Sequence, residues 1–520
     1  MTLGRLIELC PPGRLVAPLD SDWKKRQIHD LAFDSRHAGL HSLFFALSGT
    51  HTDGHRFLDN VAAQGCRAVV VRELPEVPRD DTAYLIVADP RFSLSPFSAA
   101  FFGQPSQELL VIGVTGTDGK SSTVSFIHQL ITLSGEKAGF FSTVEWSTGG
   151  ESQPNLGRQS TPEAPQIHGV LRKMVDAGCR FAVLESTSHG LSPLTNRLGD
   201  VAYAGAVFTN VTLEHLEFHG TVEQYRQDKA RLFGALANGR HGAFGVVNMD
   251  DPHHGLFIDA AGSAPVKTYS LKNREADLTV TSLVQQPDGL VLEIAENGAR
   301  KTSGQCRLGI PGRFNAENLL AALLAASSAL TLAGRPTRPL DLLPLVELLK
   351  PVKGRMAPVR AGQDFAVLVD YAHTPGAFEA LLPAVKAVTT GRVIVVFGSG
   401  GERDREKRPL QGALADRWAD LIVLTDEDPR LEGSEPILAD IEKGITSKRQ
   451  GEGYWKISPR REALRHAFSL ARRDDTVLLL GKGHEKTLVT ASGPEPWDEE
   501  ATARELLLER ISGTIRLAPL

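Results

Sequence analysis

A chain of 520 residues is long enough for about three domains of ordinary size. Its hydrophobic share of 42% and charged share of 23% are those of a globular protein with one or more sizeable cores. The net charge of −5, from 57 Lys+Arg against 62 Asp+Glu, gives no reason to expect nucleic acid as a partner.

The four cysteines, Cys10, Cys66, Cys179 and Cys306, form no CxxC pair and are too few for a disulfide scaffold. A reducing cytoplasm fits them. Met1 to Cys10 is too short in apolar residues for a signal peptide and runs into Pro11-Pro12-Gly13. The longest apolar run, Leu319 to Ala333, holds Ser327, Ser328 and Thr331 and falls short of the about 18 apolar residues of a membrane span, so it reads as a buried helix.

Residues 1–106 read as a small α/β domain, with short buried strands at Leu43 to Leu47, Ala68 to Val71 and Leu85 to Asp89. A second unit, 107–335, opens with a strand at Glu108 to Val114, a Gly-rich turn and a helix from Ser121 to Leu133. Strands at Phe181 to Leu184, Gly205 to Phe208 and Val246 to Asn248 alternate with helices, which predicts a mostly parallel, doubly wound sheet. Residues 270–310 look antiparallel, clearest at Gly289 to Ile294, and a helix from Asn318 to Ala333 ends at Gly334-Arg335-Pro336. The third unit, 336–520, carries apolar strands at Ala366 to Asp370, Val393 to Gly398, Leu421 to Thr425 and Thr476 to Leu480, again parallel and Rossmann-like. The expected fold class is therefore α/β in three domains, the central one of the phosphate-loop type.

The sharpest local signal is Gly116-Thr117-Asp118-Gly119-Lys120-Ser121, followed by Ser122. It sits after a buried strand and before a helix, where backbone N–H groups can cradle phosphate oxygens. Lys120 supplies a point charge to the β- and γ-phosphates, and Ser121 can ligate Mg²⁺. The common G-x-x-x-x-G-K-[ST] spacing would need glycine at Val114, so this is a compact variant. The competing reading is a plain helix-capping turn.

Glu185 closes the strand before it, at the sheet edge where ligands of parallel sheets bind, and can hold the Mg²⁺ that bridges the phosphates. Glu214, His215, Glu217 and His219 follow another strand, and one of them could supply a further metal ligand. Lys229 lies on an amphipathic stretch, and composition alone makes it a surface lysine.

At these residues the chain resembles the Mur ligase family over nearly its whole length, in the type that adds a diamino acid to UDP-N-acetylmuramoyl-L-alanyl-D-glutamate. Further segments carry the likeness: Asp34-Ser35-Arg36 with Leu43 to Gly49 and Asp53-Gly54-His55; Gly312 to Asn318; Asp370 to Pro375; Gly400 to Asp404; Asp428-Pro429-Arg430; and Gly481 to Glu485. The resemblance implies that Lys229 is carbamylated by CO₂ and that, as an anion, it joins His215, Ser121 and Glu185 around Mg²⁺. It implies a UDP site at Ser35, Thr50, His51 and Thr52, and a muramoyl-peptide site at Ser160, Thr161, Thr187 and Arg197. Asn315 or Asn318 would contact adenine, and Arg355, Asp370 and His373 the nucleotide. Arg403, Asp428, Arg430, Gly481 and Glu485 would bind the incoming amino acid.

The activity implied is ATP-dependent amide formation through an acyl-phosphate, in peptidoglycan precursor synthesis, by a cytoplasmic monomer. The partners are UDP-N-acetylmuramoyl-dipeptide and a diamino acid. The family's Asp-Asn-Pro-Arg reads Glu427-Asp428-Pro429-Arg430 here, Glu214 stands where Asp is usual and Ala357 where Glu is usual. The extra carboxylate of Asp428 favours a terminal ammonium and so L-lysine or L-ornithine over meso-diaminopimelate. Arg430 argues the other way, since a guanidinium grips a distal carboxylate bidentately. The alternatives are a ligase like folylpolyglutamate synthase, a phosphate-loop kinase, or a non-catalytic nucleotide-binding protein.

Overall fold

The computed structural model describes every residue except 50–52, 156, 158–159, 213–215, 238–241, 287–288, 299–301 and 513–520, and for Leu216 and Glu217 the backbone alone. The chain divides into two compact units, one formed by Met1–Tyr269 with Ala321–Pro339, the other by Ser270–Leu320 with Leu340–Leu520. Its sheets are mostly parallel, as the alternation of strand and helix predicts.

In the first unit, a small sheet runs Arg14–Val16, Ala83–Ile86, Ala68–Val71, Ser42–Phe45, Asp30–Ala32, parallel except at Arg14–Val16. Ala68–Val71 and Ser42–Phe45 are buried at every position, which is why they read as unbroken apolar runs rather than alternating ones.

A larger sheet of the same unit has Leu110–Thr115 near its middle, between Phe181–Glu185 and Tyr203–Phe208, all parallel and all fully buried. Phe244–Asn248 and Val266–Ser270 extend it on one side. Ala138–Phe141 extends it on the other, followed by the antiparallel Glu145–Ser147 and Gln153–Pro154. The chain leaves Leu110–Thr115 toward Ala138–Phe141 and later comes back to its opposite side as Tyr203–Phe208. Strand order reverses there, and a crevice for ligands opens at the carboxyl ends of these strands. Leu109, Leu171, Phe208, Phe233 and Phe257 are among the buried side chains under this sheet, each contributing about 1.5–3 kcal/mol over its exposed state.

In the second unit, Leu278–Gln286, Gly289–Glu296 and Thr302–Leu308 form an antiparallel meander, as residues 270–310 predict. A further sheet runs Ala357–Pro358, Ala366–Asp370, Thr476–Leu480, Val393–Phe397, Leu421–Leu424, Tyr454–Lys456, parallel except at its first strand. Phe314–Leu332 is one helix, buried along nearly its whole length, whose residues up to Leu320 belong to the second unit and those from Ala321 to the first. Among the described residues no helix is long and apolar enough to cross a membrane.

Candidate functional site

The turn between Leu110–Thr115 and the helix Lys120–Leu133 is shaped by two glycines. Gly116 has φ of 150°, and a Cβ there would lie 1.9 Å from Thr209 Oγ1, so only glycine fits. Gly119 caps the helix at φ 81°, and no side chain caps the N–H groups of the first helical turn. Those groups are the donors a phosphate needs, with the positive end of the helix dipole behind them. The N–H groups of Thr117 and Asp118 are already given to Asn210, to its carbonyl oxygen at 2.8 Å and its Oδ1 at 2.9 Å. The N–H groups of the turn left for a phosphate are therefore those from Gly119 onward, at Lys120, Ser121 and Ser122.

Lys120 Nζ donates to the Thr117 carbonyl at 2.7 Å. Ser121 Oγ donates to Glu185 Oε2 at 2.8 Å. Glu185, 3% exposed, also accepts from Thr143 N at 2.9 Å and Thr143 Oγ1 at 2.8 Å. A hydroxyl beside a carboxylate is a hard oxygen pair, the donor type that Mg²⁺ prefers. The residues thus fit such an ion, completed by substrate phosphates and water. Among the described residues no three His, Cys, Asp or Glu side chains cluster to hold a metal by themselves.

Lys229 corrects the composition-only reading of a surface lysine. It sits on the helix Val222–Ala237 and is 2% exposed. Its Nζ donates to the Gly116 carbonyl at 2.5 Å and lies 4.4 Å from the centre of the Tyr225 ring. Such partners offset the cost of taking an ammonium out of water. Tyr225 in turn shares a hydrogen bond with Thr117 Oγ1 at 3.0 Å.

Around the end of the Glu185 strand, Thr161 Oγ1 donates to the Glu185 carbonyl at 3.1 Å and lies 2.9 Å from Thr187 Oγ1. Arg197 donates to the Thr161 carbonyl at 2.9 Å and pairs with Glu163 at 3.0 Å. Thr161, Thr187 and Arg197 are brought together, with Ser160 next in the chain. Thr50, His51, Thr52, Glu214 and His215 lie outside the described residues. Ser35 is half-buried in a turn where the Arg36 guanidinium holds the Asp34 carboxyl down at about 2.

In the second unit three loops converge at strand ends. Gly401 N donates to the Asp428 carbonyl at 2.8 Å, and Arg403 is exposed in the same loop. Asp428 Oδ1 accepts from Lys482 Nζ and from Val489 N, both at 2.8 Å, and Arg430 N donates to the Val489 carbonyl at 3.0 Å. Lys482, 0% exposed, also donates to Glu485 Oε2 at 2.6 Å. A Cβ on Gly481 would come within 2.9 Å of Glu427 Oε2, which has no hydrogen-bond partner. Burial raises the Glu427 pKa, while Lys407, Lys482 and Arg460 pull against it.

Asp370, at the end of its strand, accepts from Met356 N and Ala372 N, both at 2.8 Å. His373 Nδ1 bonds the Tyr371 carbonyl at 2.8 Å, and the Arg355 guanidinium lies 4.9 Å from the Tyr371 ring centre. Asn315 Nδ2 donates to Pro311 O at 2.7 Å, and Asn318 Nδ2 to Asn315 Oδ1 at 3.1 Å.

Sequence reasoning does not single out Thr143, Asn210, Tyr225 or Glu163 as site residues. Asn210 could have been suspected from its place after a buried strand of the phosphate-loop sheet. The others are joined to the site only by the fold.

A lysine-tipped phosphate loop at the reversal of a parallel sheet, with a hydroxyl and a carboxylate ready for Mg²⁺, is the arrangement of a nucleoside-triphosphate-binding protein. Residues 114–326 match the Mur ligase middle domain and 354–483 the Mur ligase, glutamate ligase domain. The UDP-N-acetylmuramyl-tripeptide synthetase of Roseiflexus sp. (strain RS-1) is 44% identical over 514 residues, 97% of this chain and 98% of the relative. That of Treponema denticola is 43% identical over 94% of this chain and 93% of the relative. The UDP-N-acetylmuramoyl-L-alanyl-D-glutamate--2,6-diaminopimelate ligase of Geobacillus thermodenitrificans is 36% identical over 95% and 99%. A solved structure of a ligase so named superposes with a TM-score of 0.67 at 29% identity, covering 98% of this chain and 100% of the other. Folylpolyglutamate synthase of Mycobacterium tuberculosis, at 16% identity and a TM-score of 0.59 over 75% of this chain and 92% of the other, shares the fold alone. The chain belongs to the Mur ligase family and is an ATP-dependent ligase.

Proposed function

We propose that this ligase joins a diamino acid to the peptide carboxylate of UDP-N-acetylmuramoyl-L-alanyl-D-glutamate, in peptidoglycan precursor synthesis in the cytoplasm. The observation that carries this is the pairing of the phosphate loop with the Thr161–Thr187–Arg197 cluster on the same strand end as Glu185. It supports reading the cluster as the peptide site, next to the strand end whose Glu185 accepts from Ser121 of the phosphate loop. Relatives named for tripeptide synthesis match 97% and 94% of the chain. We assign the UDP-sugar to 1–106, ATP to 107–335 and the amino acid to 336–520.

A carboxylate does not acylate an amine in water, because its oxygen is a poor leaving group. Transfer of the γ-phosphoryl makes an acyl-phosphate and ADP. The amine then attacks the acyl carbon, and phosphate leaves from the tetrahedral intermediate. Lys120 and the first-turn N–H groups of its helix hold the charge that spreads over the phosphoryl oxygens. Arg197, Thr161 and Thr187 fix the acceptor carboxylate, and positioning supplies much of the rest. Ser121, Glu185, His215 and Lys229 as its carbamate would hold Mg²⁺. The ion neutralises phosphoryl charge when bound. The carbamate forms when the neutral Lys229 amine adds to CO₂, making one N–C bond and releasing one proton to solvent.

For the diamino acid, the pocket holds two carboxylates, Asp428 and Glu485, on a single Lys482. One more cation would balance the charges around Lys482, which favours the terminal ammonium of L-lysine or L-ornithine, while Arg430 at the same pocket pulls toward the distal carboxylate of meso-diaminopimelate. The test is one incubation series. UDP-N-acetylmuramoyl-dipeptide labelled with ¹⁸O in its carboxylates is given ATP, Mg²⁺ and each diamino acid in turn, and product and phosphate are weighed. The expected result is ¹⁸O in the phosphate and tripeptide formation strongest with L-lysine or L-ornithine. Phosphate free of label would end the acyl-phosphate reading.

A further inference from the structure

His219 is gripped at both ring nitrogens. Nδ1 lies 2.9 Å from Asp228 Oδ2 and Nε2 lies 3.0 Å from Ser188 Oγ. All three residues are buried. A carboxylate only accepts, so Nδ1 carries the hydrogen given to Asp228, and in the neutral ring Nε2 accepts from the Ser188 hydroxyl. The second oxygen of Asp228 accepts from Gln224 Nε2 at 3.0 Å and stands 3.4 Å from Arg231 Nε.

The order Ser–His–Asp is that of a hydrolytic triad. Here Ser188 is shut off from solvent, so no substrate carbonyl reaches its hydroxyl. What the three residues do share is their position in the chain. Ser188 follows Thr187, on the turn that leaves the Glu185 strand. Asp228 directly precedes Lys229 on the helix Val222–Ala237. The His219 ring also packs 5.1 Å from the ring of Tyr225, whose face backs the Lys229 ammonium and whose hydroxyl bonds the phosphate loop.

We propose that His219 is a positioning residue that fixes Lys229 by tying its helix to the turn that carries Thr187. This rests on the reading that Lys229 acts at the phosphate loop. The tie sets how the helix sits against that turn, and therefore where Lys229 Nζ stands relative to Gly116. It also couples the peptide-binding threonines to the nucleotide side, since both hang on the same buried ring. Neither Ser188 nor Asp228 needs to touch a substrate for this.

The test uses the full chain with His219→Ala, His219→Asn and Ser188→Ala, beside Lys229→Ala. Losses of groups that orient functional residues cost about 10- to 100-fold, so His219→Ala is expected to lower kcat by that much while KM for the diamino acid stays within about threefold. His219→Asn keeps an N–H for Asp228 and recovers part of the loss, and Ser188→Ala loses less, about threefold to tenfold. A second readout does not depend on turnover. Protein equilibrated with ¹³C-bicarbonate is expected to show a carbamate carbon by NMR, which needs more bicarbonate to fill in His219→Ala and Ser188→Ala and vanishes in Lys229→Ala. Thermal melts check that each variant is folded. If His219→Ala does not fold, Ser188→Ala and His219→Asn decide. Parental kcat and parental bicarbonate dependence in the folded His219 and Ser188 variants would overturn the proposal. Full activity in Lys229→Ala would instead end the reading of Lys229. A parent without a carbamate signal would remove CO₂ from the mechanism, with the kcat and KM pattern still deciding His219.

Discussion

The two charged sites of this protein are built on different plans. At the phosphate loop, Lys120 rests on a backbone carbonyl, and the first-turn N–H groups have no side-chain cap. At the Asp428 pocket, buried Lys482 is committed to two carboxylates, and Asp428 to both a lysine and a backbone N–H. A cation on a carbonyl is ready for an incoming anion. A cation shared between carboxylates holds the protein together and leaves a residual negative charge. The first plan suits a site that binds a highly charged ligand and releases it. The second suits a site that reads one side chain from others by small differences in charge.

The comparison breaks most visibly if the loop lysine proves dispensable. Lys120→Ala is expected to lower kcat by about 10³-fold or more, because it removes a preorganised cation from the transferring phosphoryl group. Its stability is expected to change by no more than about 0.5 kcal/mol, as for substitutions away from a packed network. Phosphate release and a urea melt measure the two. A loss of less than tenfold, or a large drop in stability, would erase the contrast between the sites.

Lys482→Met should do the reverse. Removing one partner of a buried ion pair costs about 3–5 kcal/mol. Asp428 and Glu485 keep some contact with water, so a loss of about 2–3 kcal/mol is expected here. Urea denaturation at neutral pH measures it. A neutral effect would mean that Lys482 is as uncommitted as Lys120.

Asp428→Asn sharpens the comparison further. It removes one of the two carboxylates on Lys482 and frees part of that cation. The ratio of kcat/KM for meso-diaminopimelate to that for L-lysine is expected to rise about tenfold, which is about 1.4 kcal/mol. Side-by-side kinetics with both amino acids read it. An unchanged ratio would place selectivity elsewhere in the pocket.

The same contrast explains what the sequence discloses. The phosphate loop is local: strand, glycines, Lys120 and Ser121 follow one another, and the helix Lys120–Leu133 begins within one residue of its predicted start. Long buried strands such as Thr476–Leu480 are likewise visible as apolar runs. What escapes is any role created by burial. Lys229 looks like a surface lysine until the fold places the Gly116 carbonyl and the Tyr225 ring beside it. His219 stands in a run of His and Glu that suggests a metal, and the fold gives its nitrogens to Asp228 and Ser188. Thr143 and Glu163 carry no motif, and they reach Glu185 and Arg197 only through tertiary structure. Asp428 reads as a free negative charge because Lys482 lies 54 residues away along the chain.

The smallest expected effect concerns Glu427, which has no counterpart at the phosphate loop. Glu185 there has its carboxylate filled by Ser121 and Thr143. Glu427 Oε2 is buried with no partner, and burial raises its pKa above the ordinary carboxylate value. A raised folded-state pKa contributes stability that is complete below the unfolded value of about 4.3 and is lost as pH rises through the folded value. Glu427→Gln removes that titration. The stability of Glu427→Gln relative to the parent is therefore expected to move in the variant's favour as pH is raised from about 4 to about 8. Lys407, Lys482 and Arg460 trim the shift, which makes it the weakest of the four effects. Paired urea melts across that range measure the difference directly. A difference that stays flat would mean that Glu427 meets no burial cost, and that the carboxylates of the two sites are equally well satisfied after all.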